Sequence, residues 1–168
     1  MKIAILGYSG SGKSTLAKRM AETYRLPVLH FDRVQFLPGW QIRSQEEKLA
    51  LTQSFLDSHE SWVIDGNYSK LCLQQRLEEA DQIVLLLFNR FDCLLRAYRR
   101  YRRYKNTTRS DMADGCNEKF DWEFAKWILW KGRTKTDRER YRYIQSRYGH
   151  KTVVIRNQRQ LDRFVKTL

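Results

Sequence analysis

Gly7-Tyr8-Ser9-Gly10-Ser11-Gly12-Lys13-Ser14 satisfies the pattern G-x-x-x-x-G-K-[ST] at every fixed position. The residue types define a chemistry. Gly7 and Gly12 permit backbone angles and a close approach that a Cβ would block, and Gly10 adds freedom between them. Successive N–H groups can then converge on an anion. A helix beginning here aims its positive end at the same point. Lys13 places a point charge on β- and γ-phosphates, the Ser14 hydroxyl is a ligand for Mg²⁺, and Thr15 contacts an α-phosphate. Gly7, Gly10, Ser11, Gly12, Lys13, Ser14 and Thr15 are the candidate binding residues for a nucleoside triphosphate. A dinucleotide-binding G-x-G-x-x-G is incomplete, because residue 15 is threonine.

Transfer chemistry needs carboxylates and further positive charge near that loop. Sites in open α/β sheets form beyond the carboxyl ends of strands. Asp65 closes the apolar run 62–65 and suits the magnesium side, although Asp65-Gly66 is also a common turn pair. Asp32 follows the run 27–31 and is the candidate that accepts a proton from an attacking hydroxyl or holds the acceptor; its bland alternative is a turn or cap residue. Asn67, near Asp32 and Trp40, is a further candidate beside the acceptor. His30 reads as a packed residue, and Trp40 as either core or an aromatic wall for the acceptor. Arg96 and Arg100 lie one turn apart on a basic helix and can face the same way. Arg109 and Asp111 stand in a polar segment expected to move. Arg96 and Arg109 are the candidates for charge on the phosphoryl group in flight.

The elements that must position these groups are legible as punctuated apolar runs. Residues 2–6, 27–31, 62–65, 82–88 and 153–155 read as short buried strands. Leu16, Met20 and Tyr24 recur at helical spacing before Pro27. Ser44 and Glu47 form a capping box opening a helix to about residue 57, and 136–139 forms a second. Residues 71–79 and 91–105 read as helices, 106–120 as a flexible polar segment, and Asp121 as the cap of a helix carrying Phe124, Trp127 and Ile128. Trp122, Trp127 and Trp130 read as packing and not as a base-stacking platform. Five strands separated by helices predict an α/β fold with a parallel sheet.

The 168 residues suit one domain with one core, and 42% hydrophobic content is enough to fill it. The net charge of +13 calls for anionic partners. Residues 90–150 carry 17 Lys and Arg against 8 Asp and Glu, so most of that excess lies between the fourth and fifth strands. Cys72, Cys93 and Cys116 match no zinc or disulfide pattern, and no apolar run is long enough for a membrane span. A cytoplasmic protein with no membrane partner is expected.

The loop, Asp32 with Pro38-Gly39-Trp40, the run Trp62-Val63-Ile64-Asp65-Gly66-Asn67-Tyr68, Arg109 with Asp111, and residues 115–120 before the aromatic stretch 121–130 resemble the small P-loop kinases. More closely, the chain is similar to the bacterial DNA topology modulation proteins, which are adenylate-kinase-like. The resemblance implies a three-layer α/β/α fold with strand order 2-3-1-4-5 and a helical lid over roughly 92–135. It implies ATP with Mg²⁺ at the loop, and Asn157 and Gln158 near the adenine. The chain departs from adenylate kinases, which carry Asp-Gly-Phe-Pro-Arg after the third strand; residues 65–68 supply no arginine to grip AMP. An ATP-dependent kinase acting on a small molecule or nucleotide-like acceptor is the leading expectation. A nucleic-acid-binding NTPase or regulator is the alternative, and phosphorylation of a polynucleotide end would merge the two.

Overall fold

The two faces of one parallel sheet organise the chain. The computed structural model describes residues 1–105, 107 and 111–168. In chain order the elements are β1 (Lys2–Gly7), α1 (Lys13–Tyr24), β2 (Val28–His30), α2 (Phe31–Gln35), β3 (Phe36–Leu37), β4 (Gln41–Ile42), α3 (Gln45–Ser58), β5 (Trp62–Asp65), α4 (Leu73–Glu79), β6 (Gln82–Leu86), α5 (Arg90–Tyr104), α6 (Trp122–Lys126), α7 (Lys135–Arg147), β7 (Thr152–Ile155) and α8 (Gln158–Val165). The large sheet runs β2-β5-β1-β6-β7, all parallel. Counting its strands alone, that is the expected order 2-3-1-4-5. β3 and β4 pair separately as an antiparallel hairpin.

Alternation along β1 divides the core. Ile3 and Ile5 join Val63, Val84 and Leu86 on one face, against Leu16, Ala17 and Met20 of α1, Cys93 and Ala97 of α5, and Leu161 of α8. Ala4 and Leu6 join Trp62, Ile64, Ile83 and Leu85 on the other, against α2, α3, α4 and α7 through Phe31, Val34, Leu56, Leu77, Tyr141 and Ile144. Both faces being covered, the strands read as continuous apolar runs. The result is three layers, with strand carboxyl ends from β1, β2 and β5 at one edge. Among the described residues no helix is long and apolar enough to cross a membrane.

Several local expectations are corrected. Phe31 begins a helix, so Asp32 sits in α2 and not in a loop after β2. The segment expected as a loop around Pro38 is a hairpin turning through Gly39 and Trp40, both at positive φ. The second capping box is formed by Thr134 and Asp137, two residues earlier than expected. The three tryptophans do not pack inside: Trp122, Trp127 and Trp130 are 65%, 48% and 56% exposed. The reason is local. After α6 the chain widens into a π-turn over Trp127–Lys131, closed by Gly132 N–H donating to the Trp127 carbonyl at 2.8 Å, so that Ile128 and Leu129 turn inward instead. The segment expected to be flexible carries a small buried cluster, Met112, Ala113 and Cys116, against Phe36 and Trp40 of the hairpin.

Candidate functional site

The turn between β1 and α1 is built as the motif demands. Gly7 has φ +145°, and a Cβ there would stand 2.2 Å from the Leu86 carbonyl oxygen of the neighbouring strand. Gly12 has φ +96° and caps α1; its missing Cβ leaves room for the Arg96 guanidinium, 2.5 Å from where that carbon would be. Only glycine serves at either place. The Ser11 N–H donates to the Tyr8 carbonyl at 3.1 Å and closes the turn.

Asn67 holds this loop to β5. Its Oδ1 accepts the Gly7 N–H at 3.0 Å, and its Nδ2 donates to the Gly7 carbonyl at 2.7 Å. Asn67, expected beside an acceptor, is thus engaged on the loop backbone.

Lys13 leaves the start of α1 and donates to the Tyr8 carbonyl at 3.1 Å. Burial holds its ammonium below the usual lysine range, against the opposing pull of Asp32 and Asp65. The Ser14 hydroxyl donates to Asp65 Oδ2 at 2.8 Å. Asp65 is nearly buried, and its other oxygen meets His30 Nδ1 at 2.5 Å. Burial works against the His30 charge, but the hydrogen bond and charge of Asp65 outweigh it and raise its pKa. His30 is packed, as expected, and also orients the carboxylate nearest Ser14.

Asp32 faces the same space from α2. The Tyr68 hydroxyl donates to its Oδ1 at 2.8 Å. Burial, reinforced by Asp32, pushes the Tyr68 hydroxyl far up, so it remains a donor. The loop carrying Asn67 and Tyr68 is itself organised by Arg76, which is fully buried. Its guanidinium donates to the carbonyls of Leu71, Gly66 and Tyr68 and lies 4.3 Å over the Phe31 ring. Burial lowers its pKa to about 9, which keeps it cationic at neutral pH.

These groups open on one cleft of about 1350 Å³, reaching from Gly10, Gly12, Lys13, Ser14 and Thr15 past Asp65 to Asp32 and on to Trp40. Arg96 and Arg100 line it from α5, on one helix face as expected. Arg96 lies 4.7 Å over the Phe88 ring and hydrogen-bonds Gln158; Arg100 pairs with Glu118 at 2.7 Å. Trp127 reaches the loop, donating from Nε1 to Ser9 Oγ at 3.1 Å. Trp40 lines the cleft while packing edge-on to Phe36 at 5.1 Å, so it is both wall and part of a small core. Gly7 and Ser11 are buried behind the cleft surface. Asn157 is exposed and caps α8, its side chain accepting the Gln160 N–H, and it does not line the cleft. Arg109 lies outside the described residues.

The fold matches solved structures along nearly the whole length of the chain. TT1252 from Thermus thermophilus is 16% identical with a TM-score of 0.55, covering 99% of this chain and 95% of its own. Deoxyadenosine kinase from M. mycoides, solved with the products dCMP and dCDP, is 15% identical with a TM-score of 0.52, covering 99% of this chain and 97% of its own. The fold is P-loop kinase-like. No protein-family model and no curated protein matches the chain.

The residues present fit a magnesium nucleotide. Gly7, Gly10 and Gly12 hold the loop at positive φ with no room for a side chain, and Ser14 with Asp65 offers two oxygen ligands beside Lys13. Among the described residues no group of three or more His, Cys, Asp or Glu gathers as a protein metal cage. Mg²⁺ bound through a hydroxyl, one carboxylate, phosphates and water needs none. Arg76 is a site residue that sequence reasoning missed, since no motif marks it; Tyr68 ends the run 62–68, which gave it no role of its own.

Proposed function

We propose that the chain is an ATP-dependent phosphotransferase acting on a small or nucleotide-like acceptor. One observation carries the reading: Lys13 and the Ser14–Asp65 pair, 2.8 Å apart, share with Asp32 a single cleft that extends well beyond the P-loop. A binder that only held nucleotide would need no second carboxylate past the γ-phosphate. The backbone N–H groups of the loop and the Lys13 ammonium bind the phosphates. Ser14 and Asp65 would hold Mg²⁺, which when bound neutralises charge on the phosphate oxygens. The acceptor oxygen attacks the γ-phosphorus, its proton passes to Asp32, and the bond to the β,γ-bridging oxygen breaks to release the diphosphate. Tyr68 fixes the Asp32 carboxylate by its hydrogen bond. Arg96 and Arg100 supply positive charge from a lid spanning roughly 92–135 of a single domain. Within this proposal the run Trp62 to Tyr68 groups the chain with the DNA topology modulation proteins, in the cytoplasm.

An ADP-release assay across nucleosides, nucleotides and sugars tests the reading. Turnover with at least one acceptor, abolished in Asp32→Asn, is expected; tight MgATP binding with no turnover on any acceptor would overturn it.

The exposure of Trp122, Trp127 and Trp130, beside exposed Arg99, Arg102 and Arg103, favours a second reading, a nucleic-acid-binding NTPase. It requires single-strand binding that weakens steeply with salt and is lost on neutralising those arginines. Salt-insensitive or absent binding removes it.

A further inference from the structure

The cleft that holds Asp32 is also lined by a buried lysine. Lys48, on the first turns of α3, is only 8% exposed. Its Nζ donates to Gln35 Oε1 at 3.2 Å, and no ion pair to Lys48 occurs among the described residues. An ammonium taken out of water is costly unless a counter-charge meets it. A neutral amide satisfies one of its three N–H donors and none of its charge. Lys48 nevertheless lines the cleft, with Lys70 on the opposite loop. Gln45, one helical turn before Lys48, donates to the Lys70 carbonyl, which draws the two basic side chains to the same end.

The distance scale follows from α2. Asp32 and Gln35 are three residues apart on one helix, so they are neighbours on one face, about 5–6 Å apart at Cβ. The ammonium held by Gln35 therefore stands about one helical turn from the Asp32 side chain. Lys13, Ser14, Asp65, Asp32 and Lys48 all line this one cleft. An anion placed directly against Asp32 would meet its carboxylate; an anion one turn away meets Lys48. Phe36 and Trp40, flat and apolar, line the same cleft, with the Lys119 ammonium 5.1 Å over the Trp40 ring.

We propose that Lys48 anchors a phosphate ester carried by the acceptor, so that the protein phosphorylates a hydroxyl group of an already phosphorylated small molecule. The inference rests on the phosphotransferase reading and deepens it. The hydroxyl oxygen bonds to the γ-phosphorus of ATP, its proton goes to Asp32, and ADP leaves with the bonding pair. The acceptor's own phosphate takes no part in bond making and is held at Lys48, with Lys70 near it.

Two measurements test this separately from the kinase reading. In the first, MgADP saturates the P-loop and ³¹P NMR follows titration with inorganic phosphate, 5′-AMP, dCMP and glucose 6-phosphate. Saturable binding of at least one probe is expected, weakened about 10- to 100-fold in Lys48→Met and kept within about threefold in Lys48→Arg. No binding, or equal binding by wild type and a folded Lys48→Met, overturns the anchor. If Lys48→Met does not fold, Gln35→Met, which removes the amide holding the ammonium, must weaken the same probe. In the second, kcat/KM is compared for each phosphorylated acceptor and its dephosphorylated parent. At least a tenfold preference for the ester is expected, with Lys48→Met raising KM for the ester and leaving KM for ATP unchanged. Preference for the unphosphorylated parent would sink the inference while leaving the kinase reading intact. Phosphate binding at Lys48 without any turnover would do the reverse. Nucleotide and sugar phosphate arms distinguish which ester is held.

Discussion

Replacing Asn67 by alanine should unfasten the first glycine of the P-loop. Its amide satisfies both the N–H and the carbonyl of Gly7, at 3.0 and 2.7 Å, and Gly7 is buried. Each buried backbone group left without a partner costs about 1–3 kcal/mol. Allowing for partial relaxation, Asn67→Ala should lose about 2–4 kcal/mol, a large share of the ~5–15 kcal/mol typical of a domain. At about 3 °C per kcal/mol for a chain of this size, Tm should fall by about 6–12 °C. Urea denaturation should show a lower midpoint at unchanged slope. Asn67→Asp keeps the acceptor for the N–H but sets an oxygen against the carbonyl, so it should be no more stable than Asn67→Ala. The loop should also bind MgADP at least tenfold more weakly in both. A loss below about 0.5 kcal/mol, or an aspartate variant matching wild type, would refute the clamp.

Gly12→Ala puts a Cβ 2.5 Å from the Arg96 guanidinium at φ +96°. It should lower MgATP affinity at least tenfold, and in a double-mutant cycle Arg96→Ala should recover part of that loss; strict additivity would show that Arg96 is not the obstacle. Glu79 accepts from Lys2 Nζ at 2.7 Å and from Gln75, and these hydrogen bonds, Lys2 first, hold its pKa below the usual glutamate value. A depressed carboxylate stabilises the fold above its unfolded pKa of about 4.5 and loses that contribution as pH falls through the folded value. Glu79→Gln should therefore cost about 0.5–1 kcal/mol at pH 7, a deficit that shrinks as pH falls below about 4.5, as read from Tm against pH; a pH-independent deficit would contradict the pairing.

The P-loop and the five strands are legible in the sequence because their constraints are local. The fixed glycines and Lys13 answer to backbone geometry, and strands covered on both faces are continuous apolar runs. Asp32 and Asp65 are found from strand ends alone, and the structure brings both to the cleft. What escapes is set by tertiary contact. Asn67 looks like any loop amide until β5 carries it beside Gly7. Arg76 is indistinguishable from a surface arginine, yet its burial orders residues 66–72. The helix α2 is too short for periodicity to declare it. Thr134 and Thr136 each begin a capping pattern, and only the end of the preceding π-turn at Gly132 decides between them. That same π-turn rotates Trp127 and Trp130 outward, where helical spacing alone would bury them.

The most direct measurement is isothermal titration of MgATP into the wild-type chain and into Lys13→Met. Saturable one-to-one binding by wild type, weakened at least 100-fold by the substitution with Tm unchanged or raised by removal of the buried charge, is the predicted result. Absence of binding by the folded wild type, or equal affinity in the two proteins, would contradict the assignment of residues 7–15 as the phosphate cradle.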